Sequence, residues 1–183
     1  NQEKDRAITH QLYGGDNEHR LKQELLLGVG GIRMLDAMGR KPEVYHCNEG
    51  HAAFIGIERI RRLIQGRVIS FPMAKEIVTS STLFTTHTPV PAGHDSFSED
   101  LLRTYIPHYA SRLNISWDEF MGLGRMNALD RKQNFSMSIL ALKLSQEVNG
   151  VSKIHGDVSR KMFVGLFPGY FPGELNIGHV TNG

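Results

Sequence analysis

The chain has 183 residues, of which 40% are hydrophobic and 22% charged, and its formal net charge is +2. This is the composition of a soluble globular protein with a sizeable core, and the near-balance of charge gives no reason to expect a nucleic-acid or anionic-membrane partner. The one cysteine, Cys47, excludes an internal disulfide and indicates a cytoplasmic location. No apolar run approaches the ~20 residues of a membrane span.

The two ends of the chain predict that it is part of a longer polypeptide. It begins at Asn1 without an initiator methionine and ends at Gly183, directly after a strand-like segment. Natural domain boundaries favour exposed linkers. We therefore expect residues 1–183 to be a fragment of a larger protein.

The first half of the chain predicts alternating helices and strands. Apolar residues at helical spacing predict a helix over 18–38. Gly28, Gly30 and Gly31 lie inside it and predict a close approach of another backbone. The elements that follow are a strand over 44–47, helices over 52–65 and 73–79, and a strand over 83–86.

The second half continues this alternation after a loop over 88–95, which holds prolines and a glycine. Ser98 and Ser116 are the expected N-caps of two short helices. The predicted elements are helices over 98–105, 117–123 and 135–148, a short strand over 151–154, a helix over 157–167 and a strand over 177–181. This order predicts an α/β fold with a mainly parallel sheet.

Polar residues gather directly after three of the predicted strands. Asn48, Glu49 and His51 follow the first strand, His87 and Thr88 follow the second, and Asn182 follows the last. Ligands of open α/β sheets bind in the crevice beyond the carboxyl ends of the strands. The functional candidates are therefore expected along one edge of the sheet.

Three local patterns allow more than one interpretation. The segment 46–51 holds two histidines, a cysteine and a glutamate, but its spacing matches no established zinc motif, so a metal site and a plain strand-end turn both stay open. His87 is suited to carry a proton, to bind a sugar hydroxyl or to serve as a loop residue. Asp16 or Asn17, after two glycines, is the expected N-cap of the first helix.

Five stretches of sequence, in order, resemble the α-glucan phosphorylases, the glycogen, maltodextrin and starch enzymes of one glycosyltransferase family. They are LYGGD at 12–16 followed by RLKQE at 20–24, NEGHAAF at 48–54, TTHTPVP at 85–91, VNGVSKIH at 148–155 and VTNG at 180–183. Each is weak alone, but together they span nearly the whole chain. The NEGH variant and the short segment after Asp16 resemble the compact bacterial and archaeal branch.

The resemblance implies a fold and a reaction. The fold is a GT-B glycosyltransferase with two Rossmann-like lobes, of which residues 1–183 would form part of the N-terminal lobe as a three-layer parallel sheet. The reaction cleaves an α-1,4-glucan with inorganic phosphate and releases glucose 1-phosphate with retained configuration. Pyridoxal phosphate supplies the acid–base function, so no pair of catalytic carboxylates is required. Homo-oligomerisation is compatible with the resemblance.

The resemblance also implies roles for individual residues. His87 would be catalytic, with its side chain on a sugar hydroxyl and its backbone carbonyl facing the charge that develops at the anomeric carbon. Asp16 would lie on a loop that gates the site. Glu49, His51 and Thr88 would bind substrate. Glu49 stands where many relatives have aspartate, so its contact would differ.

The cofactor lysine and the phosphate-binding basic residues of the family belong to the second lobe. No lysine of this chain lies in a matching context, so the isolated chain is expected neither to bind pyridoxal phosphate nor to turn over. Two other interpretations remain: a nucleotide-sugar glucosyltransferase resembling glycogen synthase, although its Lys-x-Gly-Gly start is missing, and a non-catalytic glucan-binding module.

Overall fold

The computed structural model of the chain describes residues 3–11, 15–90 and 93–182. Five positions of the phosphorylase-like stretches lie outside the described residues, namely Leu12, Tyr13, Gly14, Pro91 and Gly183. The helices are α1 (Asn17–Leu25), α2 (Gly31–Ala37), α3 (Phe54–Gly66), α4 (Phe71–Thr79), α5 (Glu99–Tyr105), α6 (Tyr109–Arg112), α7 (Trp117–Gly122), α8 (Met137–Lys143) and α9 (Lys153–Phe163). The strands are β1 (Tyr45–Asn48), β2 (Thr82–Thr86), β3 (Ser96–Phe97), β4 (Phe135–Ser136), β5 (Glu147–Gly150) and β6 (Ile177–His179).

The main sheet has four strands in the order β1-β2-β5-β6, and every pairing in it is parallel. Each crossover between neighbouring strands contains at least one helix, as parallel pairing requires. The sequence prediction of an α/β fold with a parallel sheet is therefore confirmed. Because the strands run in one direction, their carboxyl ends share one edge.

The two faces of this sheet differ in polarity. Cys47, Phe84, Val148 and Ile177 lie in register across all four strands and are buried. On the opposite face, His46 Nε2 donates to Thr85 Oγ1 at 2.8 Å, and Thr85 Oγ1 donates to Asn149 Oδ1 at 2.9 Å. Side chains alternate between faces along a strand, so the sequence alternation within β1 and β2 decides which face joins the core.

Side-chain caps fix where several helices begin. The hydroxyls of Ser98 and Ser116 accept from the backbone N–H groups of Leu101 and Glu119, which confirms both predicted caps. Asp16 caps α1 by accepting from His19 N at 2.9 Å. Such caps satisfy backbone donors that have no partner inside the helix.

The predicted helix over 18–38 is present, but it contains an irregular turn. Residues Leu26–Gly30 form a π-helical segment between α1 and α2. A Cβ at Gly28 would lie 2.6 Å from Phe54 Cβ and 2.9 Å from Ile55 N, so glycine permits the close contact with α3. Among the described residues, Gly31 has no such neighbour, and a Cβ at Gly30 would meet only Leu26 of the same π-helical segment. The prediction of a close backbone approach is therefore right for Gly28 alone.

Two predictions about the last third of the chain are wrong. The helix expected over 135–148 ends at Lys143, because Glu147–Gly150 pairs with both β2 and β6. The strand expected over 151–154 is a turn and the start of α9, where Ser152 accepts from His155 N at 3.2 Å. That cap also moves the start of the helix expected over 157–167 to Lys153.

A two-stranded antiparallel ribbon was not expected from the sequence. Ser96–Phe97 pairs with Phe135–Ser136, and the Phe135 ring stacks on Phe54 and Phe120 at centroid distances of 6.2 and 5.6 Å. The ribbon therefore depends on contacts between segments distant in sequence.

Within 3–11, 15–90 and 93–182, the structure contains no helix of the length and apolar character that crossing a membrane would require.

Candidate functional site

His87 directly follows β2. It is held by Asn48, the last residue of β1, and by Glu49, the residue after that strand. Its Nε2 donates to Asn48 Oδ1 at 2.6 Å, and its backbone N–H donates to Glu49 Oε1. Thr88 Oγ1 donates to the same carboxylate oxygen at 3.1 Å. The structure thus brings together three residues that the sequence analysis selected: Glu49, His87 and Thr88.

Glu49 has a backbone conformation that non-glycine residues rarely adopt. Its φ is 68° and its ψ is 175°, a region used almost exclusively by glycine. The residue directly follows β1 and precedes a short helical turn at Gly50–Ala52. A Cβ at Gly50 would lie 3.0 Å from Ser138 N, so this turn packs closely against the start of α8.

A second group of side chains surrounds His51. His51 Nδ1 lies 3.1 Å from Asp95 Oδ2, and Arg20 Nη2 donates to the same oxygen at 2.6 Å. Glu24 Oε1 is 3.4 Å from Arg20 Nη2 and 3.9 Å from His51 Nδ1. Arg20 and Glu24 are four residues apart on α1, so they lie on one face of that helix. These four residues are called the Arg20 cluster below.

Burial and hydrogen bonding shift the pKa values within the Arg20 cluster. Hydrogen bonds to Asp95 and Glu24 raise the pKa of His51 to about 9, so the imidazole is charged at neutral pH. Burial opposes ionisation of Asp95, but hydrogen bonds from His51 and Arg20 hold its pKa well below the usual range. Burial raises the pKa of Glu24 to about 8, so this carboxyl group carries a proton at neutral pH.

The Arg20 cluster offers three ligand-type atoms, from Glu24, His51 and Asp95, within 4.8 Å of one another. The Arg20 guanidinium already lies among them, in contact with Asp95 and Glu24. A metal ion at that point would meet a fixed positive charge at contact distance. The arrangement therefore matches a hydrogen-bonded ion cluster.

The metal site considered for 46–51 does not assemble either. The His46 side chain donates to Thr85 on one face of the sheet, whereas Cys47 is buried on the other. Burial also raises the pKa of the Cys47 thiol to about 11, and the thiol form is a poor metal ligand.

A shallow depression of about 420 Å³ opens over the Arg20 cluster and is lined by Gly15, Arg20, His51, Gly93 and Asp95. Asp16 adjoins this depression through its neighbour Gly15. Its described side-chain contact is the cap on His19 N, so Asp16 joins neither group of side chains. Asn182, the polar residue after β6, donates its backbone N–H to Val151 O at 3.1 Å.

Arg20, Glu24 and Asp95 were not predicted as site residues, and Asn48 was predicted only as a polar residue at a strand end. Arg20 and Asp95 are 75 positions apart, and only the fold brings them together. One usable signal was present. Arg20 and Glu24 share a helix face with the core residue Leu21 on the same turn, an unusual position for two charges.

Comparison with known proteins gives a consistent result. The family model described as carbohydrate phosphorylase matches residues 2–183. The chain is 47% identical to a glycogen phosphorylase of Mycobacterium tuberculosis over 97% of its length and 22% of that protein. It is 39% identical to a maltodextrin phosphorylase of Thermococcus litoralis, over 98% of the chain and 21% of the relative. It therefore spans about a fifth of the length of these relatives.

Proposed function

Because the chain belongs to the carbohydrate phosphorylase family, we propose that it forms the sugar-binding wall of an α-1,4-glucan phosphorylase. The complete polypeptide would transfer a terminal glucosyl unit from glucan to inorganic phosphate, with retained configuration. In this proposal residues 1–183 are part of the N-terminal lobe of a GT-B architecture. Helices from outside this segment would complete the three-layer arrangement around the parallel sheet. The observation that carries the proposal is the convergence of His87, Glu49 and Thr88 at the carboxyl edge of the parallel sheet.

His87 has the chemistry that the proposed role needs. Asn48 Oδ1 can only accept, so His87 Nε2 carries a proton, and in a neutral imidazole Nδ1 then presents a lone pair. Nδ1 would accept a hydrogen bond from a sugar hydroxyl. The backbone carbonyl of His87 would face the anomeric carbon, where a fixed dipole stabilises the positive charge that develops as the glycosidic bond breaks.

The remaining predicted residues, together with Asp95, complete the wall. The charged His51 and the ionised Asp95 supply a donor and an acceptor for neutral hydroxyls. Thr88 directly follows His87 and begins the loop over 88–95. Asp16 would act on the gating loop that precedes α1, in addition to its capping role.

The phosphorylase family uses pyridoxal phosphate, which supplies proton transfer through its phosphate group when bound. The described residues do not fit its covalent attachment. The depression over the Arg20 cluster has no lysine among its lining residues. Burial lowers the pKa of Lys143 to about 8, as an attachment lysine needs. However, Lys143 is the last residue of α8. It lies about 9 Å along the helix from Met137, the residue of α8 that packs beside Gly50 next to Glu49. Its Nζ donates to two backbone carbonyls. The cofactor would therefore be held elsewhere in the polypeptide, and the isolated chain would be inactive.

The complete polypeptide that carries this chain tests the proposal. Supplied with maltodextrin and inorganic phosphate, it is expected to release glucose 1-phosphate, whereas nucleotide-activated glucose should not be consumed. Consumption of nucleotide-glucose instead would identify the synthase-like alternative. Glucan binding without either reaction would identify a non-catalytic module.

A further inference from the structure

Both carboxylate oxygens of Glu49 are engaged inside the protein. Oε1 accepts from the backbone N–H of His87, from Thr88 Oγ1 at 3.1 Å and from Thr86 Oγ1 at 3.5 Å. Oε2 accepts from Gly50 N at 3.3 Å. An ionised carboxylate has about four acceptor positions, and four donors already point at this one. Oε1 is fully occupied, and Oε2 has room for at most one further hydrogen bond.

The three donors to Oε1 come from consecutive residues, Thr86, His87 and Thr88. One carboxylate oxygen therefore holds the whole turn by which the chain leaves β2. The turn also contains the carbonyl and the imidazole of His87, the two groups proposed to face the sugar. Asn48, the residue before Glu49, holds the imidazole itself through Nε2.

The backbone of Glu49 adds a separate observation. Its φ of 68° and ψ of 175° are strained for a non-glycine residue, and such strain persists only where the surroundings enforce it. A glycine would adopt this conformation without strain but would have no carboxylate. The presence of glutamate here indicates that the side chain has a function that outweighs the backbone cost.

We propose that Glu49 is a positioning residue that acts through His87 and does not bind the sugar directly. Its carboxylate fixes the main chain of 86–88 so that the His87 carbonyl and imidazole are held in the orientation used for glucosyl transfer. This inference rests on the proposed function. It changes the role that the family resemblance implies for Glu49.

Steady-state kinetics of the complete polypeptide separate the two roles. Glu49→Gln keeps the side-chain shape but has no charge and only one acceptor oxygen. We expect kcat to fall about tenfold and KM for maltodextrin to stay within threefold, because misplacing a catalytic group affects the reacting geometry more than ground-state binding. Glu49→Ala should lower kcat about a hundredfold. Glu49→Asp, which retains the carboxylate, should recover most of that loss.

Glu147→Gln is the matched control, since this exposed glutamate is the first residue of β5 and the site lies at the carboxyl ends of the strands. The control variant should leave kcat and KM unchanged. A tenfold rise in KM with kcat preserved would overturn the inference, because it would show that Glu49 binds sugar. Unchanged constants in both Glu49→Gln and Glu49→Ala would overturn it equally. Should Glu49→Ala fail to fold, the isosteric Gln variant decides by the same criteria.

Amide hydrogen exchange tests the inference without relying on activity. The segment 84–90 should lose at least tenfold in protection in Glu49→Gln and keep it in Glu147→Gln, since only the first variant weakens the bonds that hold the turn. Unchanged protection would contradict the inference. A wild-type polypeptide that releases no glucose 1-phosphate would refute the proposed reaction, and the exchange result would still decide whether Glu49 holds the turn.

Discussion

Two glutamates are almost completely buried on neighbouring helices, yet their surroundings favour opposite protonation states. Glu24 on α1 is 1% exposed and Glu58 on α3 is 0% exposed. Burial opposes ionisation of Glu58, but hydrogen bonds from Arg61, Arg33 and Tyr109 outweigh it and lower the pKa of Glu58. Burial dominates at Glu24 and raises its pKa to about 8.

The difference lies in the number and quality of partners. Arg61 donates to both oxygens of Glu58 at 2.7 Å, and Tyr109 Oη donates at 2.9 Å. Glu24 Oε1 has Arg20 Nη2 at 3.4 Å and His51 Nδ1 at 3.9 Å, and among the described residues its Oε2 has no hydrogen-bond partner. A fully satisfied buried charge fixes the packing of its helices. A partner-poor carboxyl group beside the proposed site instead keeps a proton that titrates near neutrality.

The largest expected effect comes from removing the satisfied carboxylate. Glu58→Ala should lower the free energy of unfolding by about 3 kcal/mol, because Arg33, Arg61 and Tyr109 lose their common acceptor and a cavity remains. Urea unfolding measures this loss. Glu147→Ala, at an exposed glutamate, should change it by less than about 0.5 kcal/mol. Equal losses in the two variants would contradict the conclusion that the hydrogen bonds of Glu58 stabilise the fold.

The π-helical segment that follows α1 contacts α3, the helix of Glu58, at Gly28, which allows a second test. Gly28→Ala should destabilise by about 2 kcal/mol, since the new methyl group would lie 2.6 Å from Phe54 Cβ and 2.9 Å from the backbone of Ile55. Gly31→Ala has open space and should stabilise by about 0.5–1 kcal/mol through its higher helix propensity. Thermal melting of the two variants should therefore show shifts of opposite sign.

The pH dependence of stability separates the two glutamates further. Glu24 has a folded pKa of about 8, above the ordinary value of 4.5 for a glutamate. The unfolded chain therefore loses this proton first, and stability falls as the pH rises from about 5 to 8. His51 has a folded pKa of about 9, above the ordinary value of 6.5 for a histidine. Its contribution is complete below pH 6.5 and disappears as the pH rises through 9. Melting temperature should fall steadily between pH 5 and 9, and a rise over this range would contradict both shifts.

The smallest expected effect is that of Glu24→Gln. At pH 5 the variant should match wild type within about 0.5 kcal/mol, because a protonated carboxyl group and an amide are both neutral there. At pH 8 the variant should be the more stable protein, since the cost of keeping Glu24 protonated is gone. Differential scanning calorimetry at both pH values measures the change. Destabilisation at pH 5 as large as that of Glu58→Ala would show that Glu24 is ionised in the fold.

The sequence predicted much of the fold because local signals were strong. The caps predicted at Ser98 and Ser116 are confirmed. Strands β1, β2 and β6 lie where apolar and β-branched residues predicted strands. β5 was missed because Val148 continues the apolar helical pattern that begins at residue 135, although the helix itself ends at Lys143. Its strand form is decided by pairing with β2 and β6. The ribbon of β3 and β4 was missed for the same reason, since it depends on long-range contacts.

The site was predictable only where it follows strand ends. Parallel strands bring their carboxyl ends to one edge, so Glu49, His87 and Thr88 could be selected from their positions alone. The Arg20 cluster joins a helix, a strand-end turn and the end of a loop, and no spacing rule connects these segments. The strained backbone of Glu49 was hidden as well, because a residue type that rarely adopts a positive φ gives no signal for one.

The proposed function requires that His87 faces a glucosyl unit in a phosphorylase, and one measurement tests this directly. The rate of glucose 1-phosphate release from maltodextrin and phosphate should be compared for the wild-type complete polypeptide, His87→Ala and His108→Ala, the last being an exposed histidine on the loop before α6. We expect His87→Ala to lose about 10²–10³-fold in kcat/KM and His108→Ala to match wild type. Equal rates for all three proteins would contradict the assignment of this edge of the sheet as the sugar-binding wall.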